Sequence, residues 1–507
     1  MKMYIGYDIK NSVKYAKLCS SFRVNGKVKT KQKSLGRVLD EENGVYQNRK
    51  IGIFTYDLKT DTYGKPDASF VPEAVKRKNH REKLILDFGD AFFLSSYINR
   101  KGLKSCIDAV GYGNPDTLYA MIHYYVLCNF ASSNAGIWYE GSYVSELYPK
   151  ANLSSQRISD FLASIGDEYS QRVFFREYLK LVSKRSEGTD ILIDSTGLPN
   201  SIHFPLTAVS NHNGTISNEI RLIYVLQQET NLPLYFRYCP GNVIDVSTLT
   251  TTMLELKAYN VNTKFAILDA GYLDNENMKI LYQEGVSFLS RMKENRKLYK
   301  QLVTQHIPSI EAKENMVCYN SRYAYIKRVE CEIIEGHTAY AYVCQDISMK
   351  GFSTSKLFAR ASAKKLGVNQ VYEELQRKGV FILFSSRPIA KEKILPAYYS
   401  RQQIEQIFDI GKNYANMLPL RVHTEETFRG HLILTFISTV IVKMLQDELK
   451  DTAFNPISAF LQLRNQKCKV FDSDIIPQEA VKKVNDIYKK FGLNYPKSIP
   501  RKAAACL

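Results

Sequence analysis

The sequence of 507 residues predicts an α/β protein whose core is a mixed sheet with flanking helices, preceded by a small β region and a helical domain. Two observations predict this class. From residue 190 onward, short apolar runs typical of buried strands alternate with helical stretches, and residues 86–185 show apolar residues at helical spacing. A hydrophobic content of 45% over this length is enough for two to four domains with a large core.

The first region, residues 1–85, contains the β-like runs MYIGYDI and KIGIFTYDL. We interpret the basic stretch KVKTKQK between them as a turn, so we expect a small sheet with a cationic edge. Nothing in this region indicates a function by itself.

Residues 86–185 are predicted to form a helical DNA-binding domain. In SSQRISDFLASIG the apolar residues recur at i, i+3, i+4 and i+7, and a glycine ends the pattern: Ile158, Phe161, Leu162, Ile165 and Gly166. This segment is either a bundle helix, which its apolar stripe explains fully, or the DNA-reading helix of a helix-turn-helix motif.

The strand order that follows predicts an RNase H-like core. DILIDST, EIRLIYVLQQ and LPLYFRYC read as three strands, VSTLTTMLELKAY as a helix, and KFAILDAGY and VSFLSRMK as further strands. The core would have two parts, 186–295 and 379–450, split by a β-rich insertion at 296–378 in which EGH is a hairpin turn. The lysine-rich residues 451–507 would be a basic C-terminal tail.

The charge of the chain indicates which class of partner it binds. A formal net charge of +18 favours a polyanionic partner, with nucleic acid ahead of a membrane surface. No signal peptide is predicted, and LILTFISTVIVKML at 432–445 is too short and too polar for a membrane span, so we expect a buried helix and no membrane partner. The nine scattered cysteines lack CxxC pairs, which is typical of reduced cytoplasmic thiols rather than a zinc site or disulfides.

Two acidic residues end the most apolar predicted strands, Asp194 in ILIDST and Asp269 in FAILDAGY. A carboxylate in such a place is costly unless it is paired, hydrogen-bonded or bound to a metal, and ligands gather at the carboxyl ends of strands in open α/β sheets. Each aspartate is also explained as an ordinary turn residue, because glycine follows shortly after both.

A third carboxylate lies in YYSRQQIEQIFDIGK. At about 100° per residue, Tyr398, Arg401, Glu405 and Lys412 share one narrow stripe of a helix, beside an apolar arc of Ile404, Ile407, Phe408, Tyr414 and Ala415. Such a stripe could face one linear partner at the rim of a cleft. The simpler explanation is that Arg401 and Glu405 form an i,i+4 ion pair on an exposed helix.

Three carboxylates from two strand ends and one helix could converge on Mg²⁺, which takes few protein carboxylates and completes its shell with phosphates. Two such ions support in-line phosphodiester chemistry, so a basic protein with this site is expected to cut or join DNA. The presence of all three carboxylates, Asp194, Asp269 and Glu405, argues against a non-catalytic DNA-binding protein.

Other polar residues have weaker claims. His203 and His212 flank an Asn/Gly-rich loop and are either loop histidines or acid/base groups. Asp190 and Asp274 are interpreted as helix-cap or turn residues, and Asp245 in GNVIDV as the cap of the next helix.

The spacing Tyr398-x2-Arg401-x3-Glu405-x6-Lys412 matches completely the Tyr-Arg-Glu-Lys signature of bacterial insertion-sequence transposases of the DDE class. LIDST, PGNVID and LDAGY are similar to further blocks of that family, in the right order, so the resemblance covers about residues 186–450. The chain departs from hairpin-forming relatives, which place a tryptophan in the insertion, because its only tryptophan, Trp138, lies in the N-terminal half.

The resemblance implies a catalytic triad of Asp194, Asp269 and Glu405 that holds two Mg²⁺ ions, with Mn²⁺ as a substitute. It implies that Tyr398, Arg401 and Lys412 bind DNA near the cleaved end. The chain would bind the terminal inverted repeats of its element and catalyse cleavage and strand transfer, as a homodimer on double-stranded DNA in the bacterial cytoplasm, associated with the nucleoid. The alternatives are an RNase H-like nuclease of repair or junction resolution, and a non-catalytic DNA-binding protein derived from a transposase.

Overall fold

The computed structural model describes residues 2–10, 13–24, 27–67, 70, 85–186, 188–200, 205–212, 215–364, 367–471 and 474–501. The chain divides into two compact units, Met1–Glu82 and Lys83–Leu507.

The first unit is a single antiparallel sheet whose strands lie in sequence order: β1 (Lys2–Lys10), β2 (Val13–Val24), β3 (Lys27–Asp40), β4 (Val45–Asn48), β5 (Gly52–Asp57) and β6 (Thr62–Gly64). Leu18, Leu35 and Phe54 form much of its small core. The interpretation of KVKTKQK as a turn is wrong, because these residues begin the long strand β3. Their strict alternation of lysine with Val, Thr and Gln has the period of two that a strand requires.

The second unit begins with a short strand and a group of helices: β7 (Ile85–Asp87), α1 (Gly89–Arg100), α2 (Leu103–Asp108), α3 (Pro115–Leu127), α4 (Ala135–Gly141), α5 (Val144–Leu147), α6 (Ser155–Ile165) and α7 (Glu168–Ser183). The apolar stripe predicted for α6 is buried. This burial is what the bundle-helix interpretation requires.

The predicted mixed α/β architecture is confirmed by a ten-stranded sheet. Its strands are β8 (Asp190–Pro199), β9 (Ala208–His212), β10 (Thr215–Gln227), β11 (Pro233–Pro240), β12 (Phe265–Leu268), β13 (Ser287–Arg291), β14 (Met316–Tyr319), β15 (Arg322–Ile334), β16 (His337–Asp346) and β17 (Val380–Ser385). Their order is β11-β10-β8-β12-β13-β17-β16-β15-β14, with β9 paired to β10. Strand β12 is parallel to β8 and β13, whereas the other neighbours are antiparallel.

The region expected as a β-rich insertion is not a separate module. Its strands β14 to β16 continue the main sheet, because β17 pairs with β13 on one side and with β16 on the other. The hairpin at EGH is present between β15 and β16, with Gly336 at a positive φ of 77°.

The remaining helices of the sheet region are α8 (Leu249–Ala258), α9 (Asn275–Gln283), α10 (Lys297–His306), α11 (Ile347–Lys364), α12 (Val368–Gln376), α13 (Lys391–Tyr399), α14 (Gln402–Tyr414) and α15 (Glu425–Leu449). Among the described residues α15 is the one helix long and apolar enough to cross a membrane by length and composition, but 94% of its most apolar window is buried inside the protein. It packs tightly on α6, since a Cβ at Gly430 would lie 1.9 Å from the Leu162 carbonyl oxygen.

The expectation of a basic tail after residue 450 is wrong for the part of it that the structure describes. That part forms α16 (Pro456–Arg464), β18 (Lys467–Val470), β19 (Asp474–Pro477), α17 (Lys482–Lys490) and β20 (Ile499–Pro500). Strand β18 pairs with β7 and β19. The lysines conceal an amphipathic helix, because Val484, Ile487 and Tyr488 recur at i, i+3 and i+4 in α17 and are buried.

Candidate active site

The two candidate aspartates come side by side through strand register. Strands β8 and β12 run parallel, and the last aligned pair is Ile193 with Leu268. Asp194 and Asp269 are the next residue on each strand. Adjacent parallel strands that stop pairing at the same level deliver their following side chains to one edge of the sheet. Strand β8 itself continues to Pro199 by pairing with β10.

Arg401 bridges these two carboxylates. Its Nη2 donates to Asp194 Oδ2 at 2.9 Å and its Nη1 lies 2.8 Å from Asp269 Oδ1. The Arg401 and Asp194 side chains are only 15% and 18% exposed, whereas Asp269 is 42% exposed. One planar guanidinium therefore fixes both acids in a largely buried place, as arginine geometry allows.

The protonation of this cluster follows from burial and charge. Burial raises the pKa of Asp194, and the Arg401 guanidinium opposes that rise. Burial by itself would lower the pKa of Arg401, but the Asp194 and Asp269 carboxylates outweigh it and raise that pKa. Arg401 therefore stays charged, and the i,i+4 pair with Glu405 suggested by the sequence does not form.

The four residues of the stripe do not lie on one continuous helix. Helix α13 ends at Tyr399 and α14 begins at Gln402, and the junction carries short-range bonds from the Arg401 amide to the Tyr398 carbonyl and from Ile404 to Arg401. The backbone stays in right-handed helical angles there, so the side chains remain neighbours. On the predicted apolar arc, Tyr414 is 38% exposed, because α14 ends at this residue.

Tyr398 and Lys412 both contact this centre. Arg401 Nη1 donates to the Tyr398 hydroxyl at 3.1 Å. Lys412 Nζ donates to Thr196 Oγ1 at 2.6 Å and to the Gly197 carbonyl at 3.2 Å, so it ties α14 to β8. Burial lowers the pKa of Lys412.

Glu405 is the exception among the candidate carboxylates. It lies in the first turn of α14, is exposed, and forms no ion pair with another described residue. Within the described ranges no group of three or more His, Cys, Asp or Glu side chains is arranged to hold a metal ion. The structure thus brings together Asp194 and Asp269, and convergence of Glu405 on them stays a prediction.

Asp245 belongs to this neighbourhood, and the prediction that it caps a helix is wrong. Its Oδ1 accepts hydrogen bonds from Ser195 Oγ at 2.6 Å and from Arg221 Nη1 at 2.9 Å. Its carboxylate, together with Asp194, adds to the effect of burial in raising the pKa of Tyr272. The sequence signal was available, because Arg221 lies inside an apolar strand and a buried arginine needs an acid.

The other weak candidates lie elsewhere or outside the described part of the chain. Asp190 is the first residue of β8 and pairs with Arg387 at 3.1 Å, so it is neither a cap nor a turn residue. Asp274 caps α9 through the Asn277 amide, as predicted. His203 lies outside the described residues, and of His212 only the backbone is described, as the last residue of β9.

An aromatic cavity of about 220 Å³ opens beside the α13–α14 junction. Its lining includes Tyr319, Arg322, Tyr323, Tyr399 and Gln402. The Tyr319 and Tyr399 rings are stacked at 5.6 Å, and Tyr323 is 52% exposed. Sequence reasoning missed these residues because β14 and β15 are distant from α14 along the chain.

The chemistry of the donor set fits a divalent cation. Asp194 and Asp269 supply hard oxygen ligands within reach of a single guanidinium, and Mg²⁺ is commonly held by one or two carboxylates while waters and phosphates complete its shell. Arg401 provides the positive charge that the two acids need when no ion is present.

Comparison with known proteins identifies the region that carries this site. The family described as "Transposase DDE domain" matches residues 185–441, just over half of the chain. No curated protein matches the sequence at a significant level. A solved structure described as the piggyBac transposase synaptic complex with hairpin DNA matches with a TM-score of 0.38 and 11% identity, over 74% of this chain and 79% of that chain.

Proposed function

Because the chain belongs to the transposase DDE domain family, we propose that it is a DNA transposase that binds the terminal inverted repeats of a bacterial insertion sequence and catalyses DNA cleavage and strand transfer. The observation that carries the proposal is the position of Asp194 and Asp269 at the ends of adjacent parallel strand segments, bridged by Arg401. Both aspartates and Glu405 fall within the matched residues.

The strand order supports an RNase H-like core. Strands β11-β10-β8 form an antiparallel meander, and β12 and β13 extend it in parallel on the far side of β8. This arrangement is the one expected from the order of strands and helices in the sequence. Asp194 within β8 and Asp269 just after β12 therefore lie in the middle of the sheet, where flanking helices can reach them.

Members of this family generally use divalent metal ions. Asp194, Asp269 and Glu405 would hold Mg²⁺, with two ions expected and Mn²⁺ as a substitute. When bound, such ions make a water or 3′-hydroxyl nucleophilic and stabilise the leaving oxygen of a phosphodiester.

The chain's own residues then have separate tasks. Arg401 orients the two aspartates, because its two nitrogens pair with both. Lys412 sets the distance between α14 and β8 and could turn toward a DNA phosphate. Tyr398 positions Arg401 through its hydroxyl. Tyr319, Tyr323 and Tyr399 offer aromatic faces on which a base displaced from the duplex could stack.

The partner in this proposal is double-stranded DNA, at the element ends and at the target. The net charge of +18 supports a polyanion, and strand transfer between two ends suits a homodimer in the DNA complex. The cellular site would be the bacterial cytoplasm, at the nucleoid.

The experiment uses the full chain and labelled DNA duplexes, with and without Mg²⁺. The duplexes contain the DNA on each side of the coding sequence, where the ends of the element are expected. We expect cleavage at the ends of inverted repeats, lost in Asp194→Asn and Asp269→Asn. Asp190→Asn is the matched control, because it changes an acid on the same strand that pairs with Arg387 instead. Cleavage at branched junctions without preference for the repeats would favour a nuclease, and specific binding without cleavage would favour a transposase-derived DNA-binding protein.

A further inference from the structure

The long hairpin of β2 and β3 in the first unit carries an unusual concentration of positive charge. Residues 13–39 contain eight lysines and arginines and no aspartate or glutamate. Four lysines alternate along the sequence of β3 at positions 27, 29, 31 and 33, and the described side chains of Lys29, Lys31 and Lys33 share one face of the strand. The catalytic proposal does not use this feature.

The hairpin extends beyond its neighbours in the sheet. Pairing of β1 with β2 stops at Ser21, and β4 pairs with β3 only from Arg37 to Asp40. The pairing of β2 with β3 continues to Val24 and Lys27, so residues 22–24 and 27–29 form a two-stranded tip. Residues 30–34 of β3 remain beside β2 and β1 but are not reached by β4, so they form an open edge of the sheet. We call this distal half of the hairpin, residues 22–24 and 27–34, the ribbon. The described side chains of this half are exposed at Phe22, Arg23 and residues 29–34.

The cations of the hairpin divide into two groups. Near its base, Lys14 pairs with Glu41 and Lys17 pairs with Asp8, and Lys33 lies over the Tyr63 ring. On the ribbon, Arg23, Lys29 and Lys31 form no ion pair with any carboxylate among the described residues. Positive charges left unpaired on an extended arm are available to a polyanion.

The two faces of the ribbon suit different parts of a duplex. Lys29 and Lys31 share one face, and Thr30, Gln32 and Ser34 share the other. Lysines two residues apart on a strand are about 7 Å apart and can reach successive phosphates. Hydroxyl and amide side chains are among the groups that read base edges, and the major groove of B-DNA admits a two-stranded β-ribbon such as the tip of this hairpin.

We propose that the β2–β3 ribbon binds duplex DNA with its two-stranded tip in the major groove, with Lys29 and Lys31 on phosphates and the Thr30, Gln32 and Ser34 face of the open β3 edge toward the base edges. The proposal deepens the proposed function, because it names the element that reads DNA. It differs from the sequence-based assignment of DNA binding to residues 86–185. Acidic membranes suit the ribbon less, since residues 29–34 are polar on both faces and Phe22 is the one exposed apolar side chain among its described residues, which falls short of the apolar side that interfacial binding needs.

The test compares Lys29→Thr/Lys31→Thr in the full chain with Lys50→Thr/Lys59→Thr. The control removes the same charge from exposed lysines of the same unit, in turns away from the ribbon. Affinity for a mixed-sequence DNA duplex is measured against salt without divalent metal. The ribbon variant should lose about 1.8 from the slope of log K against log salt, and on the order of tenfold to a hundredfold in affinity near 0.1 M salt. The control should match wild type.

Groove assignment is tested by methylation interference. Methylation at guanine N7, in the major groove, should weaken binding of the wild type and the control but not further weaken the ribbon variant. Interference confined to adenine N3 would overturn the major-groove assignment. A-form RNA, whose deep narrow major groove excludes side chains, should bind all three proteins alike. An equal loss on RNA, or equal losses in the ribbon and control variants on DNA, would overturn the proposal.

Two further measurements separate this proposal from others. Vesicles of anionic lipid should bind weakly and without a difference between the two variants; a loss confined to the ribbon variant on vesicles together with unchanged DNA binding would assign the ribbon to membranes and refute the proposal. Lys29→Arg/Lys31→Arg should retain wild-type affinity, which excludes a folding defect. If the ribbon variant alone loses DNA binding while the wild type never cleaves DNA, the ribbon assignment stands and the transposase proposal fails.

Discussion

The distal ribbon of β2 and β3 and the carboxylate centre around β8, β12 and α14 carry charge in opposite ways. On the ribbon, charges of one sign are exposed and have no acidic partner among the described residues. In the centre, Arg401, Arg221 and Lys412 are partly or fully buried, and each is held by acids or by oxygen atoms of β8.

This difference distinguishes charged residues that can bind a partner from charged residues that stabilise the fold. An exposed lysine contributes little to folding and remains free to meet a phosphate, whereas a buried arginine that bridges two acids is part of the fold, because removing it leaves charge in a low dielectric. Glu405, the third candidate carboxylate, differs from these residues, since it is exposed and forms no ion pair within the described part of the chain. If Glu405 belongs to the centre, as predicted, it is the group left for an outside partner, like the exposed lysines of the ribbon.

The largest effect is expected from Glu405→Gln. The amide keeps the size of the side chain but loses the charge, so DNA cleavage should fall by on the order of 10³-fold or more while DNA affinity and the urea midpoint stay unchanged. Cleavage is measured with Mg²⁺ on a duplex of the flanking DNA. Glu276→Gln, an exposed acid on α9, is the control and should cleave normally. Wild-type cleavage by Glu405→Gln would show that Glu405 is an ordinary surface acid with no role in cleavage.

Arg401→Ala should come next and should act on stability. Asp194 would be left buried beside Asp269 without its cation, which costs about 3 kcal/mol, read from urea unfolding. Lys29→Thr/Lys31→Thr should change the same quantity by less than about 0.5 kcal/mol. Mg²⁺ or Mn²⁺ should raise the melting temperature of Arg401→Ala more than that of wild type, because the freed carboxylates become available to the ion. If both variants unfold at the wild-type urea midpoint, the contrast between the two regions is lost.

Acid should destabilise the unit that contains the centre. Burial lowers the pKa of His123 and of His431 to about 4, from 6.5 in the unfolded chain. Below pH 6.5 the unfolded chain takes up protons that the folded one does not, so stability present at pH 7 is lost as pH falls toward 4, by up to about 3 kcal/mol for each histidine.

Asp194 affects the pH dependence of stability with the opposite sign, because its pKa is raised in the folded state. Its effect is confined to pH values between about 3.8, its pKa in the unfolded chain, and the raised pKa of the folded chain. His431 accepts from Tyr125 at 2.9 Å and lies 3.2 Å from the Met417 carbonyl. His431→Gln can keep both contacts, so it should reduce the slope of stability against pH between 6.5 and 4 by about half. An unchanged slope would mean that His431 is protonated in the folded protein.

Lys412→Ala should have the smallest effect. It tests whether Lys412 binds DNA, like the lysines of the ribbon, or stabilises the fold, like Arg401. If Lys412 turns to a phosphate, the slope of log K against log salt should fall by about 1. If it only ties α14 to β8, that slope stays and stability falls by about 1 kcal/mol, since one buried hydrogen-bonded group is lost. We expect the change in salt slope, and gel shifts over a salt series together with urea unfolding distinguish the two.

The sequence by itself determined the elements whose pattern has a single period. The strands around Asp194 and Asp269 and the apolar stripe of α6 were predictable, because local alternation and helical spacing specify which face is buried. The choice of Asp194 and Asp269 came from their places after apolar runs, and the assignment of Arg401 and Lys412 to the same site came from the resemblance of their spacing to the transposase signature. The strand β3 was missed because its lysine-rich sequence was interpreted as a turn, although it alternates with a period of two. The folded C-terminal segment was missed because its lysines were interpreted as a tail, although its apolar residues recur with a period of 3.6.

Only the tertiary structure decided which groups meet. The pairing of Arg401 with two aspartates rather than with Glu405, and of Asp245 with Arg221 and Ser195, joins residues that are far apart along the chain. Such contacts depend on strand register and on how α14 lies against the sheet, which local periodicity does not contain. Desolvation then selects the partners, because a buried charge must be satisfied by whatever opposite charge the fold brings nearest.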